Sequence, residues 1–256
     1  MKVERKCRIV SKEPMGDAVH MVLEVGDMVR ASSNAPGQFV HIKCGDGQLL
    51  RRPISICAFQ EDNPEDLLAI VFEVRGEGTA WLASRGQGDT LDVLGPLGNG
   101  FQIEREGRYL LVGGGIGVPP MRGCAQYTHG KSTAILGFRS KEKAILIDRF
   151  RDECAKVLIA TDDGSLGYHG FVDALVRQEL EKAYDAVLAC GPKPMLRNVA
   201  RVAEEFGVPC QVSMEERMGC GIGACLVCAC DMKDGARKHV CKDGPVFDAR
   251  EVDWDA

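Results

Sequence analysis

Tyr109-Leu110-Leu111-Val112-Gly113-Gly114-Gly115-Ile116-Gly117-Val118-Pro119-Pro120 divides the chain. Its first four residues have the composition of a short buried strand, and glycines follow at once. Pro119 and Pro120 suit the first turn of a helix, where the N–H a proline lacks has no intrahelical acceptor anyway. Strand, glycine turn and helix are how a nucleotide-binding sheet begins. Glycines let a pyrophosphate approach the backbone, and the helix N-terminus favours its charge. The run lacks the G-x-G-x-x-G spacing, so a simple tight turn stands beside the nucleotide reading. Gly113, Gly114, Gly115, Ile116 and Gly117 are the candidate residues.

Downstream, further apolar runs occupy residues 133–138, 157–160 and 186–189. Helical periodicity marks 171–181. It marks a second stretch through Met195, Leu196, Val199, Val202, Ala203 and Phe206, which Gly207 stops. Alternating strands and helices imply a parallel sheet covered by helices. Cys190-Gly191-Pro192-Lys193-Pro194-Met195 lies where a strand gives way to a helix, the edge at which such sheets bind ligands. Cys190, Gly191 and Pro192 therefore join the candidates, with a buried strand-end thiol as the alternative for Cys190. Thr161-Asp162-Asp163-Gly164-Ser165 has a similar place, or is a polar turn.

Upstream, β-rich runs fall at residues 20–25, 38–44, 54–59, 67–74 and 90–94. Asn34-Ala35-Pro36-Gly37, Gly45-Asp46-Gly47, Asp62-Asn63-Pro64 and the turn from Gly95 to Gly100 separate them, and one helical stretch covers 79–85. Short strands at this spacing predict a small antiparallel barrel or sandwich. Within it, Arg51-Arg52-Pro53-Ile54-Ser55-Ile56 offers a guanidinium for phosphate oxygens and a hydroxyl further along the strand. Gly76-Glu77-Gly78-Thr79 opens the helix, with Thr79 as a candidate cap and phosphate donor. An ordinary strand end and an ordinary turn are the alternatives.

Residues 213–256 hold five of the twelve cysteines. Cys220, Cys225 and Cys228 are spaced C-x4-C-x2-C, the plant-type spacing for a two-iron cluster, and Cys241 is the candidate fourth thiolate. Gly219, Gly221, Gly223 and Ala224 let the backbone bend around a cluster and aim N–H groups at its sulfurs. A structural zinc site is the alternative, since zinc also accepts four cysteines. Cys230 reads as a small buried side chain. The remaining cysteines read as core, and the scattered histidines form no ligand pair.

The chain has 256 residues, room for more than one domain. With 45% hydrophobic and 27% charged residues it is an ordinary globular composition, which excludes a disordered chain, a collagen and a coiled coil. The net charge of −5 gives no support to nucleic-acid binding. Met1-Lys2-Val3-Glu4-Arg5-Lys6 lacks the apolar core of a secretory signal. No apolar run nears the roughly 20 residues that span a bilayer. A reducing, cytoplasmic setting is expected, in which clustered cysteines serve metal or redox chemistry.

The order of Arg52-Pro53-Ile54-Ser55, Gly78-Thr79, the glycine run and Cys190-Gly191-Pro192 resembles the ferredoxin reductase family of flavoproteins. The cysteine tail, continued by His239-Val240-Cys241-Lys242-Asp243-Gly244-Pro245-Val246-Phe247, is similar to the electron-transfer subunits of NAD-linked, two-component dihydroorotate dehydrogenases. The resemblance implies a multi-domain β plus α/β chain: an FAD-binding barrel over 1–101, an NAD-binding α/β domain over 102–212 and a [2Fe-2S] domain over 213–256. It implies FAD contacts from Arg52, Pro53, Ile54, Ser55, Val71, Phe72, Glu73, Gly78 and Thr79, with Ser55 near the reactive flavin nitrogen and Cys190 near the nicotinamide. It implies cluster ligation by Cys220, Cys225, Cys228 and Cys241. The implied partner is an FMN-containing catalytic subunit, in a heterotetramer of two chains of each kind that oxidises dihydroorotate for pyrimidine synthesis. Electrons would run from FMN through the cluster and FAD to NAD, because a cluster carries one electron, NAD takes a hydride and a flavin handles both. No substrate base is then expected in this chain. Ile54 and the lack of a terminal tyrosine depart from the wider reductase pattern; the cysteine-rich tail is expected to shield the flavin ring instead. The competing reading is an NAD(P)H-dependent reductase subunit of a hydrogenase or ferredoxin transhydrogenase, with Arg139, Ser140 and Lys141 placed to meet a 2′-phosphate.

Overall fold

The computed structural model describes residues 3–28, 35–60 and 66–256. Met1, Lys2, Asn34 and the Asp62-Asn63-Pro64 turn lie outside them. The first part is a closed antiparallel barrel of β1 (Val3–Met15), β2 (Ala18–Glu24), β3 (Phe39–Lys43), β4 (Arg52–Gln60), β5 (Leu67–Glu73) and β6 (Thr90–Leu97). They are arranged in the order β1-β2-β5-β4-β3-β6. Five of these strands were expected, and β1 was not. Its run of charges hides a period of two, in which Cys7 and Ile9 enter the core while Lys6 and Arg8 face solvent. β6 continues through Gly95-Pro96-Leu97, where the sequence suggested a turn, because Gly95 pairs with Val3 and Leu97 with Phe39. Helix α1 (Glu77–Ser84) covers one end of the barrel.

The second part is a parallel sheet built from β7 (Tyr109–Gly114), α2 (Val118–Tyr127), β8 (Thr133–Phe138), α3 (Ile147–Glu153), β9 (Lys156–Thr161), β10 (Tyr168–His169), α4 (Val172–Glu179), β11 (Ala186–Cys190), α5 (Lys193–Glu205) and β12 (Cys210–Ser213). The chain ends in a small hairpin, β13 (Ala229–Asp231) with β14 (Arg237–His239), followed by β15 (Val246–Asp248). β15 adds itself antiparallel to β12, so the sheet reads β10-β9-β8-β7-β11-β12-β15. α3 and β15 were not expected. Only Phe150 of α3 is fully buried among charged neighbours, and β15 is three residues long. No helix among the described residues is long and apolar enough to cross a membrane.

α2 joins the two parts. Nearly all of it is buried, and Gly123 approaches the Cys57 carbonyl of β4 and the Pro36 side chain. Arg122, 7% exposed, reaches Glu153 of α3 at 2.9 Å. At the far edge of the sheet Glu179 closes α4 with the wrong charge for a helix C-terminus. Burial alone would raise its pKa. Hydrogen bonds from Lys156 at 2.6 Å, Lys182 at 2.9 Å and the Tyr184 hydroxyl at 2.9 Å reverse that and hold it at about 2.

Because the folded pKa lies below the ordinary 4.5, this carboxylate stabilises the fold fully above pH 4.5 and loses that contribution as pH falls toward 2. Glu179→Gln should cost about 2 kcal/mol at pH 7, the half-exposed lysines being partly screened. It should also flatten the acid dependence over that window. Urea midpoints measured across the window check both.

Candidate functional site

The first group of candidates lines an opening in the barrel wall. The start of β4 pairs with β3 through Ile42↔Arg52, His41↔Pro53, Val40↔Ile54 and Phe39↔Ser55. On its other side, pairing with β5 begins at Ile56↔Ile70. The end of β5 pairs instead with β2, Val71 with His20, Phe72 with Val19 and Glu73 with Ala18. Among the described residues, therefore, Arg52 to Ser55 and Val71 to Glu73 face each other with no ladder bonds between them. Backbone polar groups along such an opening require other partners. The side chains of Ile54, Val71 and Phe72 are buried, so those residues offer the opening only main chain, whereas Arg52, Pro53, Ser55 and Glu73 are more open.

Arg52 crosses the first turn of α1. A Cβ on Gly78 would sit 2.5 Å from its Nε, so only glycine allows the approach. Its Nη2 donates to Gln48 Oε1 at 2.6 Å, and Gln48 Nε2 donates to Glu77 at 3.0 Å. A fixed guanidinium beside a helix N-terminus is a site of positive potential. Thr79 is not the cap. Gly76 is the N-cap of a helix that starts at Glu77, and the Thr79 hydroxyl in the third position accepts the N–H groups of Arg75 at 2.9 Å and Gly76 at 3.2 Å. Those two bonds carry Glu77 and Gly78 into the helix.

The second group meets at the crevice where the strand order reverses, between the carboxyl ends of the parallel β7 and β11. Cys190 pairs with Gly113. A Cβ on Gly117 would lie 2.4 Å from the Cys190 carbonyl oxygen, and one on Gly114 would lie 2.4 Å from Met195 Sδ and 3.2 Å from Pro192. Gly191, at φ +156, meets Gly114 backbone in the same way. Gly115 and Ile116 form a short turn that leads, through Gly117, into α2 with its prolines in the first turn. The two glycine segments thus interlock at the position where open α/β sheets take dinucleotides. Burial pushes the Cys190 thiol up to about 12, against the Ser213 hydroxyl beside it, so it is a neutral thiol rather than a nucleophile.

The third group is the cysteine loop. Ile222, Ala224 and Cys225 aim their N–H groups at Cys220 Sγ at 3.4, 3.2 and 3.3 Å. Cys220 N–H points at Cys225 Sγ at 3.4 Å, Gly223 N–H at Cys241 Sγ at 3.2 Å, and Cys241 N–H at Cys228 Sγ at 3.4 Å. Among the described residues no three His, Cys, Asp or Glu side chains gather as ligands of one ion. The four thiols fall into two pairs, Cys220 with Cys225 and Cys228 with Cys241. Burial opposes ionisation of Cys220, yet its N–H donors bring it down to about 6. Burial beside Cys228 pushes Cys241 up to about 12. Two thiol pairs wrapped in N–H donors fit a binuclear iron–sulfur centre, whose sulfurs accept such bonds. Cys230 points elsewhere, within the hairpin and 6% exposed.

Sequence reasoning missed the residues that dock this loop on the barrel. Asn99 Nδ2 donates to the carbonyls of Lys242 at 3.2 Å and Asp243 at 3.0 Å, directly after Cys241, and Asn99 N–H donates to Gly244 at 2.6 Å. His41 of β3 meets Gly221. Burial, then the Arg51 charge, lowers its pKa to about 4. Asn99 reads as one more turn residue and His41 as one more strand residue, because their partners lie far along the chain.

A closed barrel joined to a crevice-bearing parallel sheet defines an oxidoreductase of the ferredoxin-reductase fold. A solved structure of an NADH-dependent reduced ferredoxin-NADP oxidoreductase is similar to this chain at a TM-score of 0.85 and 33% identity, covering 97% of this chain and 90% of that one. The cysteine tail narrows the class: residues 215–253 match the model of the iron–sulfur cluster binding domain of dihydroorotate dehydrogenase B. The dihydroorotate dehydrogenase B (NAD(+)) electron transfer subunit of Geobacillus thermodenitrificans is 42% identical over 95% of this chain and 96% of its own length. That of Geobacillus kaustophilus is 47% identical over 85% of this chain and 86% of its own. The chain belongs to this family of electron transfer subunits.

Gly117→Ala places a methyl group against the Cys190 carbonyl, a rigid neighbour. It should cost about 2 kcal/mol by overpacking and lower Tm by about 4–8 °C in a chain of this size. Thermal unfolding monitored by circular dichroism measures it.

Proposed function

We propose that this chain carries electrons from an FMN-containing dihydroorotate dehydrogenase catalytic subunit to NAD, in pyrimidine biosynthesis. FAD is held at the barrel opening, NAD at the β7–β11 crevice, and a [2Fe-2S] cluster on Cys220, Cys225, Cys228 and Cys241. The three cofactor-bearing units are 1–101, 102–212 and 213–256, and the assembly is a cytoplasmic heterotetramer of two chains of each kind. The observation that carries the reading is the pairing of the four thiols within a cage of backbone N–H donors. The C-x4-C-x2-C spacing with its interleaved glycines favours a two-iron cluster over a structural zinc site.

When bound, the flavin exchanges electrons singly with the cluster and as a hydride with NAD. The chain's own residues hold, orient and insulate. Arg52 and the start of α1 receive the flavin pyrophosphate. Main chain from Pro53 to Ser55 and from Val71 to Glu73 lines the ring, with the Ser55 hydroxyl as a hydrogen-bond partner. Gly113 to Gly117, Gly191 and Pro192 leave room for the dinucleotide backbone, and the uncharged Cys190 thiol sits at the nicotinamide end without supplying a proton. Exposed Ile222, Leu226 and Val227 surround the exposed Cys225. That apolar rim is the surface we assign to the catalytic subunit, since one-electron transfer needs a short path.

The reading as a ferredoxin transhydrogenase subunit is favoured less. The relatives named for dihydroorotate dehydrogenase B are 38–47% identical, against 33% for the NADH-dependent ferredoxin-NADP oxidoreductase chain. Full-length protein purified without air should be yellow-brown and contain FAD, iron and acid-labile sulfide. Added to an FMN-bearing catalytic subunit, it should support reduction of NAD by dihydroorotate, with NADP a poor substitute. Colourless protein containing zinc overturns the reading.

Cys225→Ser should abolish the cluster, while Cys230→Ser should keep iron and sulfide at the wild-type level. Metal analysis and the electron paramagnetic resonance of the reduced proteins distinguish them.

A further inference from the structure

His41 has no part in the path described above, yet its place is costly. It is fully buried, 0% exposed, and neither ring nitrogen makes a well-formed hydrogen bond, although the carbonyls of Cys220 and Arg51 lie close to the ring. A buried polar group with poor partners is a cost to the fold. Its strand neighbours Val40 and Ile42 point to the opposite face, into the barrel core, so the imidazole is buried by groups outside the barrel.

What the ring touches lies outside the barrel. A Cβ on Gly221 would be 2.6 Å from His41 Nδ1 and 3.2 Å from its Cε1, so the cysteine loop rests directly on the imidazole. The carbonyls of Cys220 and Arg51 face the ring. The backbone of His41 belongs to the other cofactor region. It pairs with Pro53, in the β4 segment that borders the barrel opening, and its carbonyl accepts Arg51 Nη1 at 3.3 Å. One residue thus has its main chain in the ladder that sets Arg52 to Ser55 and its side chain under Cys220-Gly221.

We propose that His41 is a positioning residue that keys the cysteine loop to the flavin-bearing wall of the barrel. Its ring N–H, turned toward the Cys220-Gly221 segment, fixes where Cys220 stands relative to β4. This inference rests on the cluster and flavin sites proposed above. An N–H donor beside a cluster ligand also shifts the cluster's reduction potential, as outer hydrogen bonds do at metal sites generally. Hydrophobic filling alone would leave the potential unmoved.

The test uses the full chain purified with its cofactors. His41→Leu keeps the buried volume and removes the donor, and His41→Asn restores an N–H near the Nδ1 position. The Leu variant should keep its FAD and melt no lower than wild type, but alter the g-values of the reduced cluster. It should also change the reduced-to-oxidised ratio at a fixed potential by about tenfold, which is about 59 mV for a one-electron couple. The Asn variant should return both readings toward wild type. A Leu variant with the wild-type spectrum and ratio overturns the proposal, as does an Asn variant indistinguishable from Leu. Should the Leu variant fail to fold, Gly221→Ala presses on the same contact from the loop side and must disturb the same spectrum; an unchanged spectrum there overturns it too. Wild-type protein without an iron–sulfur signal would bring down the cluster site and this role together. A normal wild-type signal with unresponsive variants brings down the role of His41 alone.

Discussion

Negative charge gathered on sulfur governs the design of this chain. Four cysteines in one small loop system would hold cations only after giving up protons, and thiolates gathered together repel one another. The loop answers with backbone rather than side-chain charge: successive N–H groups from Ile222 to Cys225 turn inward on the thiols. That curvature needs left-handed backbone at Gly221 and Gly223, at φ +70 and +86, and leaves no room for side chains on the inner surface. A loop made this way has little apolar core of its own. It must be held by the domains beside it.

Contacts with both larger parts do the holding. Asn99, at the end of the barrel, takes the carbonyls that follow Cys241. β15 joins the edge of the parallel sheet at β12, directly before the cysteine loop begins. His41 meets the loop at Gly221. The cysteine segment is therefore bonded to both larger parts at once, which a separately folded bead on a linker would not be. For one-electron transfer, whose rate falls steeply with distance, fixed placement is the property that matters.

The sequence made the site chemistry legible and the docking obscure. The C-x4-C-x2-C spacing, the glycine run after β7 and the Arg52-Pro53-Ile54-Ser55 stretch are local patterns, and each carries its physical reason within a few residues. The sheet strands were equally plain because buried parallel strands are unbroken apolar runs. β1 escaped notice because Glu4, Arg5, Lys6 and Arg8 outweigh Cys7 and Ile9 in composition, although the alternation was there to be read. α3 and β15 escaped for another reason: their stability comes from what they lie against, not from their own pattern. Asn99 and His41 belong with them, since their partners are more than a hundred residues away.

The position of Thr79 shows how close a local reading can come while missing the mechanism. A threonine before a short helix suggests a cap, and the hydroxyl does satisfy free N–H groups. It does so from inside the helix, reaching back to Arg75 and Gly76, so the helix begins earlier than expected. The earlier start brings Gly78 into the first turn, where its missing side chain lets Arg52 lie across the helix end. Arg52 and the helix dipole then act on the same point in space, which neither residue's sequence neighbourhood reveals. The same logic operates at the crevice, where Gly117 and Cys190 are far apart in sequence and in contact through backbone alone. In both places the absence of a side chain creates the site, and the charge or dipole that uses it comes from elsewhere in the fold.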